Sequence, residues 1–336
     1  MKKTTLADIS AKTGWSITTI SRVISGNSAK YRIPEATAKA VMAEVKNSGY
    51  KLRKSSQTPS NAKSNTVGLL LPSVSNPYFA DIASVMITEL STNGYTTILI
   101  DTMENDAMLA RGVKTLLSRQ VEGIIAVPCG DDGAIPEMVD KEIPVVLVDR
   151  YCEESNLPYV ASNNYQGGLD GTRRLLSAGH RRIACIQGVV SSTPNKERVH
   201  GYLDALKEAG IEDGIIVGNA FSIQNGYLET KLLLGENELP TAIFALSNTI
   251  LMGAYKAIRE SGLRIPEDIS LLSFDDNIYM DYLTPPIERM SQPVGDMAVL
   301  AVKILMDRIA GIPRSEKRIR LSPTIIHGGS IAAPKA

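Results

Sequence analysis

Four residues near the N-terminus, Ile17, Thr18, Ser21 and Arg22, have the types and spacing of side chains that read DNA. They fall together on the outward face of a predicted helix, because the apolar residues of that segment recur at steps of three and four along the opposite face. Outward residues at the start of such a helix can touch base edges in the major groove. The predicted chemistry is therefore recognition of a base sequence.

Three predicted helices must position these side chains. Apolar periodicity from Leu6 to Ser25 indicates two short helices, with Gly14 permitting the turn between them and Ser16 placed to cap the second, which runs from Ser16 to Ile24. A third helix is predicted from Pro34 to Ser48. Two helices that meet across a glycine-containing turn and pack on a third are typical of a helix-turn-helix unit. Trp15 is expected to pack between the helices rather than to stack on a base.

The charge is distributed unevenly along the chain. Residues 1–63 hold 12 Lys and Arg against 3 Asp and Glu, whereas the remaining 273 residues hold 24 against 33, so that +9 and −9 add to a net charge of zero. A basic solvated tail or a purely structural three-helix bundle are the alternatives to a nucleic-acid binder. The basic loop Lys30-Tyr31-Arg32 favours the nucleic-acid binder, because a structural bundle does not need concentrated positive charge.

The rest of the chain alternates short apolar runs with segments of helical length. Strand–helix alternation predicts parallel sheets with right-handed crossovers. Two similar sets that divide near residue 160 predict two doubly wound subdomains with a ligand between the carboxyl ends of their strands. The predicted strands are 66–71, 96–100, 123–127, 144–148, 181–187, 215–218, 241–246 and 269–274, and the predicted helices are 78–93, 107–120, 165–179, 196–210, 249–262 and 295–309.

Enzyme motifs are missing from the sequence. It contains no phosphate-binding G-x-x-x-x-G-K-[ST], no G-x-G-x-x-G after a strand and no G-x-S-x-G. The three histidines are too scattered to suggest a catalytic triad. The cysteines Cys129, Cys152 and Cys185 lie in or beside apolar runs and have neither disulfide nor metal spacing. We therefore expect neither an enzyme nor a cofactor.

The N-terminal segment has no apolar region of the kind found in secretion signals, and no run approaches the roughly 18 apolar residues of a membrane span. We expect a cytoplasmic protein that does not enter the membrane. A pure solute-binding protein is the main alternative to a regulator, and the basic N-terminal segment argues against it.

The N-terminal motif T-L-A-D-I-S-A-K-T-G-W-S-I-T-T-I-S-R-V-I-S-G resembles the head of the lactose-repressor (LacI/GalR) family. Family-like motifs continue through the body, so the resemblance covers nearly the whole chain. They are S-N-P-Y-F (75–79), E-G-I-I (122–125), P-V-V-L-V-D-R (144–150), N-N-Y-x-G-G (163–168), G-H-R-R-I (179–183), R-V-H-G-Y (198–202), P-E-D-I-S-L-L-S-F-D-D (266–276) and Q-P-V (292–294). The resemblance implies an all-α helix-turn-helix head and an α/β body of two parallel-sheet subdomains like a periplasmic binding protein.

The resemblance also implies which head residues contact operator DNA. Ile17 and Thr18 would be the main readers of the major groove, and Arg22 would read a base or anchor a phosphate. Ile17 departs from the commoner polar residue; it can contact a thymine methyl but cannot make a bidentate base contact. The predicted DNA-binding residues are Thr5, Ser16, Ile17, Thr18, Thr19, Ser21, Arg22, Ser25, Arg32 and Pro59.

The linker at 51–65 is rich in Ser, Asn and Lys and lacks apolar periodicity, which predicts a boundary between head and body. In the family this stretch forms a short hinge helix on the operator and inserts a leucine into the minor groove. Here the position of that leucine falls on Pro59, which breaks a helix interior. A proline can still act as an apolar wedge between bases.

Ten residues of the body occupy family positions that contact the effector. Carboxylates would accept hydrogen bonds from hydroxyl or ring N–H groups, an arginine would donate a pair, and aromatic rings would cover an apolar sugar face. Asp149 could instead form a structural ion pair with Arg150, and Phe221 could belong to the core. The predicted residues are Tyr78, Phe79, Asp149, Asn163, Ser192, Arg198, Phe221, Asn248, Asp275 and Gln292.

We therefore expect an allosteric repressor of carbohydrate genes whose operator affinity is set by a small molecule, on this resemblance a sugar. The chain ends without a heptad repeat, which favours a homodimer. The expected domains are a head at 1–50, a hinge at 51–65, and a body at 66–336 with subdomains 66–161 plus 292–321 and 162–291 plus 322–336.

Overall fold

The computed structural model of the chain divides into two compact units, residues 1–62 and 63–336. The structure describes residues 5–48, 50, 63–129, 143–151, 155–313 and 318–335. Most of the predicted linker, with Pro59, lies outside the described residues. None of the described helices is long and apolar enough to cross a membrane.

The described part of the N-terminal unit contains three helices: α1 (Leu6–Thr13), α2 (Ile17–Ile24) and α3 (Glu35–Asn47). Thr5 caps α1 in a capping box with Asp8, and the Ser16 side chain accepts a hydrogen bond from the Thr19 N–H to cap α2. Gly14 has a φ of 78° at the turn between the two helices, a conformation that costs glycine little. These elements confirm the predicted helix-turn-helix.

A small apolar core holds the three helices together. Ile9 of α1 and Ile20 of α2 are almost fully buried, and Val41 of α3 closes the cluster. Trp15 is half-buried and packs against this core, as expected for a residue between the helices. Because the apolar faces point inward, the other face of α2 is left to solvent.

In its described residues the body contains two sheets of six strands each, one wholly and one mostly parallel. The first has the order β11-β5-β4-β3-β1-β2 and all its neighbours are parallel. Its strands are β1 (Thr66–Leu71), β2 (Thr96–Asp101), β3 (Gly123–Ala126), β4 (Val145–Val148), β5 (Tyr159–Ser162) and β11 (Arg318–Leu321). We call this half of the body subdomain 1.

The second sheet has the matching order β12-β10-β9-β8-β6-β7, and β12 alone is antiparallel to its neighbour. Its strands are β6 (Ile183–Ile186), β7 (Ile215–Val217), β8 (Ala242–Ala245), β9 (Ser270–Phe274), β10 (Glu288–Ser291) and β12 (Thr324–Ile326). We call this half subdomain 2. The two sheets confirm the predicted fold class.

Helices cover both sheets, and the chain passes between the two sheets three times, after β5, after β10 and between β11 and β12. The helices are α4 (Pro77–Thr92), α5 (Asp106–Ser118), α6 (Asn164–Ser177), α7 (Thr193–Glu208), α8 (Ile223–Leu233), α9 (Asn248–Glu260) and α10 (Val294–Ile309), with a 3₁₀ turn at Ile278–Asp281. All eight strands and all six helices expected for the body are present. The structure adds α8, β5, β10, β11 and β12.

Glycines let α6 and α7 of subdomain 2 approach closely. A Cβ atom on Gly168 would lie 2.2 Å from the backbone oxygen of Arg198, and one on Gly201 would lie 2.2 Å from that of Tyr165. No real Cβ contact is that short, so only glycine fits at either position. This packing fixes the backbone of α7 where it presents Arg198 to the neighbouring cavity.

Candidate functional site

A cavity lies between the two subdomains, beyond the carboxyl ends of β1, β4 and β9. It amounts to about 330 Å³, open solvent at its mouth included. Such a position, at the strand ends of doubly wound sheets, is where ligands of this architecture bind. The cavity is lined by Asn76, Tyr78, Phe79, Asp149, Arg150, Pro194, Arg198, Phe221, Ser247, Asp275 and Gln292.

Two aspartates occupy matching positions on opposite sides of the cavity. Asp149 follows β4 and Asp275 follows β9, and each of these strands is third in the order of its sheet. Both residues are buried and both have a left-handed backbone, with φ of 67° and 72°. That conformation is uncommon outside glycine, and aspartate tolerates it better than most residues. Strain of this kind is concentrated at ligand sites, where the surrounding structure over-determines it.

A chain of hydrogen bonds links the two aspartates. Tyr78 donates its hydroxyl to Oδ1 of Asp149 at 2.7 Å, and Gln292 donates its amide to Oδ1 of Asp275 at 2.6 Å. The Tyr78 hydroxyl also lies 3.4 Å from the amide oxygen of Gln292. Asp275 Oδ2 accepts the backbone N–H of Asn248, the first residue of α9, at 3.1 Å. Asp149 Oδ2 accepts no hydrogen bond from a described residue, so this oxygen is available to a ligand.

Burial determines the ionisation of Asp149 and Tyr78 in this series of hydrogen bonds. Desolvation raises the pKa of Asp149 above its ordinary value, although Arg150, Arg198 and the Tyr78 hydroxyl each oppose the shift. The pKa of Tyr78 is also raised, first by burial and then by the charge of Asp149. Tyr78 therefore remains a hydrogen-bond donor at neutral pH.

Arg198 is buried on the subdomain 2 side and is held from several directions. Its Nε donates to Asn164 Oδ1 at 2.8 Å, and its Nη1 donates to the Leu246 carbonyl at 2.7 Å. Its guanidinium lies 3.7 Å from the centre of the Phe274 ring, and Nη1 is 4.0 Å from Asp275 Oδ1. Nη2 donates to no described residue. Arg198 is thus rigidly placed and keeps one nitrogen for a ligand.

Arg150 lines the cavity from subdomain 1, on the side opposite Arg198. Its two terminal nitrogens donate to the two oxygens of Glu104 at 2.6 and 2.7 Å, a bidentate pair. Its Nε is buried, donates a hydrogen bond to no described residue and lies 3.9 Å from Asp149 Oδ2. The main ion pair of Arg150 is therefore with Glu104 rather than with Asp149.

Aromatic rings form the apolar walls. Tyr78 and Phe79 meet edge to face at 5.1 Å between ring centres. Phe221 closes the opposite side, against Gly188, where a Cβ atom would lie 2.1 Å from the Phe221 ring. Phe221 lines the cavity and also packs on the core of subdomain 2. Together the rings give the cavity apolar walls beside its charged groups.

Seven of the ten predicted effector residues line the cavity, and Asn163, Ser192 and Asn248 do not. Asn163 caps α6, accepting the Gln166 N–H, and the Ser192 hydroxyl donates to the Val189 carbonyl. Asn248 donates to Asn76 Oδ1 of subdomain 1 at 3.3 Å, while its own buried side-chain oxygen has no partner among the described residues. Asn248 therefore joins the two subdomains at the edge of the cavity.

Four lining residues were not predicted as effector contacts: Asn76, Arg150, Pro194 and Ser247. Each lies one or two positions from a predicted effector residue. Asn76 caps α4 and Ser247 caps α9, so both stand at helix starts that face the strand ends. A helix-capping residue that follows a predicted strand is the sequence signal that could have identified Asn76 and Ser247.

The predicted DNA-reading surface of the head is exposed. Ile17 is 49% exposed although it is a large apolar residue, and Thr18, Ser21 and Arg22 share its face of α2. This face of α2 is therefore accessible to a partner.

The other predicted DNA-binding residues of the head lie around this face. Thr5 and Ser16 are exposed caps, Thr19 is half-buried, and Ser25 and Arg32 are exposed. Arg32 has a left-handed φ of 53°. Pro59 lies outside the described residues.

Neither unit offers a metal centre within the described part of the chain, where no three His, Cys, Asp or Glu side chains are grouped closely enough to hold an ion. Cys129 and Cys185 are buried free thiols.

Comparison with known proteins gives the family. Residues 64–294 match the model of periplasmic binding proteins and the sugar-binding domain of the LacI family. The ribose operon repressor of Haemophilus influenzae is 31% identical over 98% of this chain and 99% of its own. A LacI-family regulator from Enterococcus faecium, solved with bound ribose, is 28% identical with a TM-score of 0.72 over 80% of this chain and all of its own.

The regulator CelR, solved with cellobiose, is 28% identical with a TM-score of 0.72 and covers 98% of this chain and all of its own. The match to CelR thus spans the head as well as the body. The chain belongs to the LacI family of transcriptional regulators.

Proposed function

We propose that the protein is an allosteric repressor whose effector is a neutral monosaccharide, bound in the cavity between the subdomains. The observation behind this proposal is the pair of buried aspartates, Asp149 and Asp275, that face each other across the cavity beside two buried arginines. Carboxylates accept hydrogen bonds from sugar hydroxyls, and guanidinium groups donate to hydroxyl oxygens.

The charges of the cavity favour a neutral ligand. Arg150 is paired with Glu104, and Arg198 lies close to Asp275, so neither cation is left to neutralise a phosphate or a carboxylate. Among the described residues, the cavity offers an acceptor without a hydrogen-bond donor, Asp149 Oδ2, and donors without an acceptor on the two arginines. A hydroxyl group both donates and accepts, and it can satisfy such a set without adding charge.

The cavity is small, because the figure of about 330 Å³ already includes open solvent at its mouth. A small cavity favours one sugar ring over a longer oligosaccharide. Two relatives point to ribose by their names, a ribose operon repressor and a regulator solved with ribose. We therefore propose an aldopentose, with ribose as the first compound to test.

In this proposal two chains pair through their bodies and present two heads to a pseudopalindromic operator in the cytoplasm. The head would comprise residues 1–50, the hinge 51–65 and the body 66–336. Asn76–Asn248 and a second contact, Asn277 Nδ2 to Asp81 Oδ2 at 3.2 Å, join the subdomains beside the cavity. A sugar held by both subdomains would bias their relative position and so change the affinity of the heads for DNA.

The test is a thermal-shift and calorimetric screen of the full chain. The compounds are ribose and other aldopentoses, hexoses, cellobiose, ribose 5-phosphate and purines. We expect a neutral monosaccharide to raise the Tm in a concentration-dependent way, since a ligand that binds only the folded state stabilises it. Tighter binding of the phosphate ester, or no stabilisation by any sugar, would refute this choice of effector.

A further inference from the structure

Tyr31 lies beside the DNA-reading face of the head. The central carbon of the Arg22 guanidinium lies 4.0 Å from the centre of the Tyr31 ring, a cation–π contact, and the Lys30 ammonium lies 5.9 Å from the same ring. Arg22 belongs to the last turn of α2, one turn after Thr18 on the outward face. An aromatic side chain is therefore in contact with a predicted DNA-binding residue.

The loop between α2 and α3 fixes the position of this ring. The Tyr31 N–H donates to the Asn27 carbonyl at 3.2 Å, and the Ile33 N–H donates to the Ser28 carbonyl at 2.9 Å. Ile33 also packs against the core of the head. Tyr31 itself remains 43% exposed and does not belong to that core. Its ring is thus held in place without contributing to the packing of the three helices.

Arg22 has no competing partner among the described residues of the head. Among residues 5–48 its guanidinium pairs with no carboxylate, whereas Lys12 pairs with Glu44 and Lys39 pairs with Glu35. A guanidinium that rests on a ring keeps its N–H groups free to donate, and it loses less side-chain freedom on forming a hydrogen bond than an unsupported one.

We propose that Tyr31 is a positioning residue that holds the Arg22 guanidinium ready for its contact with DNA. The inference rests on the DNA-binding function of the head and adds a residue that the family resemblance did not supply. Exposed cation–π contacts correspond to about a 2- to 5-fold effect on an equilibrium constant. Because a dimer would present two heads, removal of both rings is expected to weaken operator binding about 4- to 25-fold.

The experiment begins with selection of a binding site from random-sequence DNA by the wild-type full chain. The Kd for that site is then measured for wild type, Tyr31→Phe, Tyr31→Ala, Arg22→Ala and the double variant. Tyr31→Phe keeps the ring and is expected to bind like wild type, while Tyr31→Ala is expected to lose about 4- to 25-fold. In the Arg22→Ala background the Tyr31→Ala change is expected to cost nothing more, because the ring acts through the arginine.

Met42→Ala is the matched control, since Met42 is 41% exposed on α3. It is expected to leave DNA binding unchanged, and circular-dichroism melting of every variant checks the fold of the head. An equal loss from Tyr31→Ala with and without Arg22 would overturn the proposal, as would a loss from Tyr31→Phe that matches that of Tyr31→Ala. Selection that enriches no sequence would refute DNA binding itself, whereas an enriched site with additive losses would refute only the role of Tyr31.

Discussion

Replacement of Asp275 by asparagine tests the proposed effector site most sharply. The wild-type carboxylate accepts hydrogen bonds from Gln292 at 2.6 Å and from the Asn248 backbone at 3.1 Å, and it lies 4.0 Å from Arg198. Asparagine has nearly the same shape but removes the charge and turns one acceptor into a donor. The perturbation therefore changes the electrostatics of the cavity with little change in its volume.

The expected magnitude follows from the type of bond. A hydrogen bond to a charged group contributes about 1.5–3 kcal/mol, which corresponds to a loss of roughly 10- to 150-fold in sugar affinity. Isothermal titration with the sugar that stabilises the wild-type protein measures this loss directly. The same variant is expected to bind DNA in the absence of sugar, because the head is a separate compact unit.

Asp276→Asn provides the matched control, since Asp276 is the next residue, also a carboxylate, and pairs with Arg289 at 2.7 Å rather than lining the cavity. We expect this control to bind sugar like wild type. If Asp275→Asn binds the sugar as tightly as the control does, the assignment of the cavity as the effector site is wrong.

Three further substitutions are predicted from the described contacts. Burial raises the pKa of Asp149 in the folded protein above its unfolded value of about 3.9. The protonated carboxyl therefore contributes to the free energy of unfolding below about pH 3.9, and this contribution is lost as the pH rises through the pKa of the folded protein. Asp149→Asn is therefore expected to raise the Tm of the sugar-free protein at neutral pH but not below about pH 4. The same substitution should weaken sugar binding. A lower Tm at neutral pH would contradict the predicted cost of burying the Asp149 charge. Gly188→Ala would push the Phe221 ring away from its present place, because the new Cβ would lie 2.1 Å from it, and titration should show weaker sugar binding with DNA binding retained. Gly168→Ala would bring a Cβ to 2.2 Å from a backbone oxygen and should lower the free energy of unfolding, measured by denaturant titration, by about 1–3 kcal/mol. The control Gly295→Ala, whose Cβ would have no heavy atom within 4 Å, should be neutral or slightly stabilising. Equal effects of the two substitutions would contradict the close helix packing.

Strong periodicity made most of the fold predictable. The strands β1 and β9 are apolar runs buried on both faces, so their composition alone distinguishes them from neighbouring helices. The structure adds β10, whose sequence ERMS contains one apolar residue, and β11, whose sequence RIRL alternates charged with apolar residues over only four positions. Strands this short, at or near a sheet edge, depend on pairing with a neighbour, and a single sequence does not contain that information.

The missing helix α8 has a different cause. Its sequence IQNGYLETKLL contains Gly226 near its start, and glycine normally lowers helix propensity. The structure shows why glycine is there: a Cβ atom would lie 2.1 Å from the Ile250 backbone oxygen of the adjoining α9. Tertiary packing thus outweighed the local preference.

The candidate site was predictable where side chains follow strands and less so elsewhere. Asp149 and Asp275 end strands and line the cavity, as their positions in the sequence indicated. A structural ion pair of Asp149 with Arg150 was the alternative to an effector contact, but the terminal nitrogens of Arg150 bind Glu104, 46 positions away in sequence. Asn163 and Ser192 stand at helix starts, and local hydrogen bonds use their side chains. Which of two nearby polar groups faces a cavity depends on contacts that only the folded chain reveals.

The central claim is that sugar in the body changes the affinity of the head for DNA. The direct measurement is the Kd of the full chain for its selected DNA site, with and without a saturating concentration of the sugar that stabilises it. A coupling of about 1–3 kcal/mol, typical of allosteric proteins, predicts a change of roughly 5- to 150-fold, and Asp275→Asn should abolish that change at the same sugar concentration. An identical DNA affinity with and without bound sugar would contradict the account.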